Sequence, residues 1–312
     1  MQISAVKTNI RRVCHLFGGA VCAGAILLIA ASAPAQNLFV ADSGSGKIYE
    51  FTPNGGSSTF ASGLNDPTAV AFDSSGNLYV ANYGDNTVTK IAPLGTMSTV
   101  VSGLTKPYNG LAINSAGNLF VSSWSGYGSG YITEVTPQGA ASTFASGGFS
   151  GPEGLAFNSA GNLFVANQQG YTINEITPQG TVTSFAYAIN TPYGFDGPSG
   201  LAFNSAGNLF VANQGGFITE ITPQGTMSIF ASDLDSPQGL AFDSAGDLFV
   251  SCAAAANRVI EITPQGTMTT FAFGLSDPVG LVFQPIQIPE PSTWALVGLG
   301  LSALLVFRRR KA

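Results

Sequence analysis

The chain has 312 residues, 45% of them hydrophobic and only 9% charged, against about 25% charged in an ordinary globular domain. That apolar content excludes a disordered chain, and 39 glycines are far too few for a collagen. Between Gln36 and Ile288 lie sixteen acidic and four basic side chains, a net charge of −12 that repels phosphate backbones and argues against a nucleic-acid partner.

Residues 1–35 have the three parts of a signal peptide. Lys7, Arg11 and Arg12 form a basic start, and Leu16 to Ala31 is an apolar run with small residues. Ala33-Pro34-Ala35 then supplies a cleavage site with Ala33 and Ala35 at its two small positions. An uncleaved anchor is the alternative, but the apolar run is short for a spanning helix. Cleavage after Ala35 removes Cys14, Cys22 and the only histidine, His15. Cys252 is then without a disulfide partner, and an inert buried thiol is expected there.

From residue 37 the sequence repeats. Asn-Leu-Phe-Val or a close variant starts at Asn37, Asn77, Asn118, Asn162, Asn208 and Asp247, with spacings of 40, 41, 44, 46 and 39 residues. A period near 40 without helical stripes excludes a helical solenoid and predicts propeller blades of four strands each. In the unit starting at Pro152 the strands are expected at Gly154–Phe157, Asn162–Ala166, Thr172–Ile176 and Val182–Phe185. Asn158-Ser159-Ala160-Gly161 turns the chain between the first two, and Thr177-Pro178-Gln179-Gly180 between the last two. The Gly-Leu-Ala-Phe strands are small at alternate positions, which suits the crowded place nearest an axis.

The domain starts on a second strand and ends on a lone first strand, Gly280–Phe283. Five complete units lie between. The expected fold is therefore all-β, a six-bladed propeller over residues 36–285, closed by pairing the last strand with the strand at Asn37. The unit Pro-x-Gly-Leu-Ala-Phe-Asp-x-x-Gly-Asn-Leu-Phe-Val-Ala-Asn resembles the NHL repeat, and more distantly the senescence-marker-protein and gluconolactonase-like propellers.

One face of such a disc carries the near-identical tight turns, so length variation falls on the other, in Ser122–Gly130, Cys252–Asn257 and Tyr187–Gly197. Tyr83, Tyr108, Trp124, Tyr127, Tyr193 and Phe195 lie in these connections. Two roles stay open for them: stacking on sugar faces, or packing the long loops onto the disc.

The residues before the small residue of each first strand should enter the central channel: Thr68, Asn109, Glu153, Ser199, Gln238 and Val279. In the gluconolactonase-like family, acidic and Asn side chains at such positions hold a divalent cation. That resemblance implies Asn109 and Glu153 as ligands here, at most two, where a hard cation takes roughly 6–8 oxygens. No cofactor is expected. Without a histidine in the propeller there is no imidazole base and no Ser-His-Asp triad. On the same ground, a likeness to the streptogramin-lyase propellers, which would demand a catalytic histidine, is not expected. The third-strand glutamates Glu50, Glu134, Glu175, Glu220 and Glu261 recur once per blade and are expected to be structural, with Lys90 breaking the series.

The end of the chain has its own pattern. A linker at 286–293 contains Pro289-Glu290-Pro291, residues 294–307 form an apolar helix of 14 residues, and Arg308, Arg309, Arg310 and Lys311 stand at 308–312. The basic cluster stays cytoplasmic by the positive-inside rule, which puts the propeller outside. This tail resembles the PEP-CTERM sorting signal. The resemblance implies export, transient membrane anchoring and cleavage near Pro-Glu-Pro by an exosortase-type transpeptidase. The combined expectation is an exported monomer at the cell surface, a non-catalytic binding or scaffold module for extracellular polysaccharide. A metal-dependent lactonase using Asn109 and Glu153 is the alternative.

Overall fold

Twenty-four strands form six antiparallel sheets of four, and the innermost strand of each is its first strand. The computed structural model describes residues 36–126, 128–187 and 194–285; the expected signal peptide, linker, apolar helix and basic tail lie outside them. Blade one joins Pro278–Phe283 to Leu38–Asp42, Lys47–Phe51 and Ser57–Ser62, so the two ends of the domain share one sheet as expected. Leu38 faces Phe283, and Val40 faces Leu281. Blades two to six start at Pro67, Pro107, Pro152, Pro198 and Pro237. In blade four the strands run Pro152–Phe157, Leu163–Asn167, Thr172–Ile176 and Val182–Tyr187, within two residues of the expected limits.

Each first strand touches the first strands of both neighbouring blades, which closes a ring around the axis. The contact is backbone to backbone. A Cβ on Gly154 would stand 2.1 Å from the Ser199 carbonyl oxygen, and one on Gly200 would stand 2.1 Å from that of Gln238. The glycines of the first strands are therefore required by close approach.

Apolar seams join the blades farther out. The strand-two phenylalanine of five blades stands edge-on between a fourth-strand ring of its own blade and a first-strand ring of the next. Phe39, for example, meets Phe60 at 4.9 Å and Phe72 at 5.0 Å, and Phe164 meets Phe185 and Phe203 in the same way. Such pairs contribute about 0.5–1.5 kcal/mol each beyond area burial. Blade two has Tyr79 instead, with the Lys90 ammonium 5.6 Å above the ring.

The recurrent glutamates are structural rungs. Glu50, Glu134, Glu175 and Glu220 accept from the side-chain amides of Asn37, Asn118, Asn162 and Asn208 at 2.6–2.7 Å. In blade six Asp247 replaces the asparagine, and its carboxyl helps to push the pKa of Glu261 up, after burial itself. Cys252 is fully buried, and burial pushes its thiol up to about 11, as an inert thiol requires.

Ring closure yields a direct test. Deleting Pro278–Phe283 would leave blade one with three strands and two bare edges. The shortened chain should lose its cooperative melt or elute as polymers in size-exclusion chromatography; a monomer of unchanged Tm would contradict closure.

Candidate functional site

The mouth of the channel is built by a feature repeated in every blade. The residue before each first-strand proline has a positive φ: Asp66 55°, Lys106 42°, Gly151 65°, Gly197 63°, Ser236 47° and Asp277 74°. A left-handed residue before proline is costly for any side chain other than glycine. What holds it is a hydrogen bond: its carbonyl accepts the backbone N–H of the residue that follows the second-strand core. Those donors are Ser43, Tyr83, Trp124, Gln168, Gln214 and Ala253, and they form a crown around the axis. The position sits directly after each Leu-Phe-Val-Ala-Asn segment, so its place in the repeat could have identified Gln168 and Gln214 as well as the two aromatics.

Four crown residues, Tyr83, Trp124, Gln168 and Gln214, line a cavity of about 460 Å³ together with Tyr108, Glu153, Gln169 and Gln238. Three of the expected binding-face aromatics, Tyr83, Tyr108 and Trp124, thus meet two of the expected channel residues, Glu153 and Gln238, in one site. Tyr83 and Tyr108 pack edge to face at 5.6 Å, and the Lys106 ammonium stands 5.2 Å from the Trp124 ring centre. Opposite, the amides form a one-way relay across three blades. Gln168 donates to Gln214 at 3.1 Å, Gln214 to Gln238 at 3.3 Å, and Gln238 to the Ser236 hydroxyl at 3.2 Å.

Other expected site residues play different parts. Phe195 is buried to 6% exposure beside Phe164 and Leu201 in the seam between blades four and five, so it packs the loop inward and offers no ring to a ligand. Thr68 and Ser199 are fully buried and do not supply free channel oxygens. Thr68 donates to the Pro107 carbonyl at 3.1 Å, and Ser199 to those of Pro237 and Gln238 at 3.2 and 3.0 Å, which ties neighbouring blades together. The Ser122–Gly130 segment is mostly strand, Leu119–Gly126 paired with Ser129–Val135, and no loose loop. Tyr127 and Tyr193 lie outside the described residues.

Blade three departs from its siblings by one inserted residue. Pro-Tyr-Asn-Gly at 107–110 stands where blade four has Pro-Glu-Gly at 152–154. The strand absorbs the insertion as a wider bulge between Pro107 and Leu111, with Asn109 at φ 54°. Tyr108 reaches the cavity, and Asn109 lines the axial channel of about 250 Å³ beneath it.

Unpartnered polar atoms gather at this place. Among the described residues six buried side-chain polar atoms have no protein partner, and four belong to Asn109 (Nδ2), Ser123 (Oγ), Trp124 (Nε1) and Glu153 (Oε2). Each such atom costs about 1–3 kcal/mol, so their concentration at one seam points to a site held ready for something else. Burial pushes the Glu153 carboxyl up to about 8; the nearby Asn109 amide counters a smaller part, although no hydrogen bond of good geometry joins the two. Tyr108 is pushed well above its ordinary value of 10, first by burial and then by the Glu153 charge.

The donor set is thin for a divalent cation. One carboxyl stands beside one amide, while the Thr68 and Ser199 hydroxyls are spent on blade-to-blade bonds and Val279 is apolar. Hard cations take several charged oxygens. No group of three His, Cys, Asp or Glu side chains able to hold a metal occurs among the described residues.

Stability should carry the mark of Glu153. The folded chain keeps this proton while the unfolded chain releases it, so folding is disfavoured increasingly as pH climbs from 4.5 to about 8. Glu153→Gln removes that penalty. Variant and native protein should melt alike near pH 4. At pH 8.5 the variant should melt higher by at least about 4 °C, with ~1.4 kcal/mol per pK unit and ~2–4 °C per kcal/mol. A Tm difference that does not change with pH would show that the carboxyl is not an unpaired buried acid.

With this geometry in place, likenesses to other proteins can be weighed. The model of the virginiamycin B lyase family matches residues 24–288, and the PEP-CTERM protein-sorting motif matches residues 287–311. No curated protein matches significantly. Solved structures do. A streptogramin B lyase shares 17% identity at TM-score 0.61, over 80% of this chain and 95% of that one. A catalytically inactive histidine-to-alanine variant of virginiamycin B lyase from Staphylococcus aureus, with quinupristin, shares 17% at 0.60, over 80% and 92%. A putative gluconolactonase shares 16% at 0.60, over 77% and 86%. At these identities the structural likeness speaks for the fold. The sorting motif marks an exported surface protein with C-terminal membrane association and exosortase processing. The absence of a propeller histidine had argued against a streptogramin-lyase likeness, and the family match corrects that expectation: histidine belongs to a reaction, whereas repeat and blade packing define the family. The chain belongs to the virginiamycin B lyase family.

Proposed function

We propose that the protein is a non-catalytic binding module, exported and held at the cell surface, that takes extracellular polysaccharide in the cavity at its channel mouth. The observation that carries this reading is the composition of one cavity: the rings of Tyr83, Tyr108 and Trp124 on one side and the Gln168–Gln214–Gln238 relay on the other. Flat rings beside side-chain amides suit a ligand with an apolar face and a rim of hydroxyls. The volume, about 460 Å³, suits one or two sugar residues of a longer chain. Removal of the signal after Ala35 and a transient anchor at 294–307 complete the reading and would hold the mouth outside the membrane.

Lyase chemistry is not part of the proposal. The relative with quinupristin is inactive with one histidine changed to alanine, and the only histidine of this chain, His15, precedes the propeller. No observation favours the lactonase alternative, since the donor set at Asn109 and Glu153 is thin for a cation.

Titration with oligosaccharides, followed by tryptophan fluorescence and calorimetry, tests the reading. Tyr83→Ala and Trp124→Ala should each weaken binding about tenfold, equivalent to ~1.4 kcal/mol, while Tm falls by no more than about 4 °C. Unchanged affinity in both variants would remove the aromatic wall from the site.

A further inference from the structure

The charges around the cavity are arranged unequally. Its wall contains one ionisable carboxyl, Glu153, and neither lysine nor arginine. The Lys106 ammonium is engaged over the Trp124 ring, 5.2 Å from its centre. Asp66 of blade two and Asp277 of blade one act on Tyr108 as negative groups, and Asp277 is itself pushed up by burial and then by Asp66 and Asp42. A uronate entering this space would bury its carboxylate with neither lysine nor arginine in the wall, and with the charges of Asp66 and Asp277 acting on the Tyr108 side of it, which is costly. A neutral sugar brings only hydroxyls, and each can accept from a protonated carboxyl as readily as it donates to a glutamine oxygen.

Resting on the binding role proposed above, we infer that the cavity selects uncharged over acidic sugars, with Glu153 serving as a hydrogen-bond-donating carboxylic acid. Glu153 is fit for this part because it is 6% exposed and its Oε2 has no partner among the described residues. Ionisation turns the donor into an acceptor-only anion, so the affinity for neutral sugar falls as the medium becomes alkaline. Tyr108 is the titratable group on which the Glu153 charge acts, and Asp66 and Asp277 act on that same tyrosine. Tyr108 stays protonated throughout, because burial holds its pKa well above the range tested.

Calorimetry at pH 6.5 and 9.5 separates the outcomes. The neutral probes are cellohexaose, mannohexaose and hexa-N-acetylchitohexaose; the acidic probes are hexagalacturonate and hexamannuronate. At pH 6.5 at least one neutral probe should bind, and both acidic probes should bind at least 30-fold more weakly. At pH 9.5 the neutral probe should lose at least tenfold. Glu153→Gln, whose amide keeps a donor in place, should show less than a twofold change between the two pH values. Acidic probes that bind as well as neutral ones, or a native affinity indifferent to pH, would overturn the inference and leave the binding role standing. A Glu153→Gln protein that keeps the alkaline loss, or binds at neither pH, would likewise overturn it. Failure of every probe would overturn the binding role itself.

Discussion

Six inner strands lie backbone against backbone around one axis, and every other feature of this molecule is placed by that ring. The approach is so close that a single Cβ on Gly154 or Gly200 would fall 2.1 Å from a carbonyl oxygen of the next blade. A ring of this kind has no slack, so it must close on itself, and it does so by letting Pro278–Phe283 complete the sheet that Leu38–Asp42 began. The hydroxyls of Thr68 and Ser199 are drawn into the same contact and tie one blade to the next. Farther from the axis the blades diverge, and the gaps are filled by rings standing edge to face.

Rigid repetition makes small departures powerful. Five blades carry one residue between the first-strand proline and its small residue, whereas blade three carries Tyr108 and Asn109. Because the ring cannot shift, the extra residue is absorbed locally: Asn109 takes a left-handed backbone, the bulge widens, and Tyr108 moves to the cavity. Unpartnered atoms of Asn109, Ser123, Trp124 and Glu153 collect at the same seam. Left-handed residues recur in every blade, but most of the unsatisfied side-chain polarity among the described residues is concentrated at this seam, a pattern expected where function has overridden stability.

Architecture was legible in the chain because it follows from periodicity. The spacing of Asn37, Asn77, Asn118, Asn162, Asn208 and Asp247 set blade number, and the lone strand at Gly280 set closure. The site was legible only in pieces. Tyr83, Tyr108, Trp124, Glu153 and Gln238 were recognisable as two separate groups, one on loops and one in the channel, and only the fold brings them into one cavity. For Phe195 both roles stayed open, because a ring in a long connection can point outward or fold back into a seam, and only the fold shows that it packs inward. Gln168 and Gln214 carry no signal as side chains, although their place in the repeat is that of Tyr83 and Trp124. The protonation of Glu153 depends on burial and on the lack of a partner, which no local pattern encodes.

Export and surface sorting would turn such a site toward extracellular material. The central claim is that a lone buried carboxyl, neutral and unpaired, forms the floor of the binding cavity. Carbon-13 NMR titration of glutamate side-chain carboxyls tests it most directly. The account predicts one glutamate resonance that titrates near pH 8, apart from all the others, and that is absent from Glu153→Gln. A Glu153 resonance that titrates with the remaining glutamates, in their ordinary range, would contradict it.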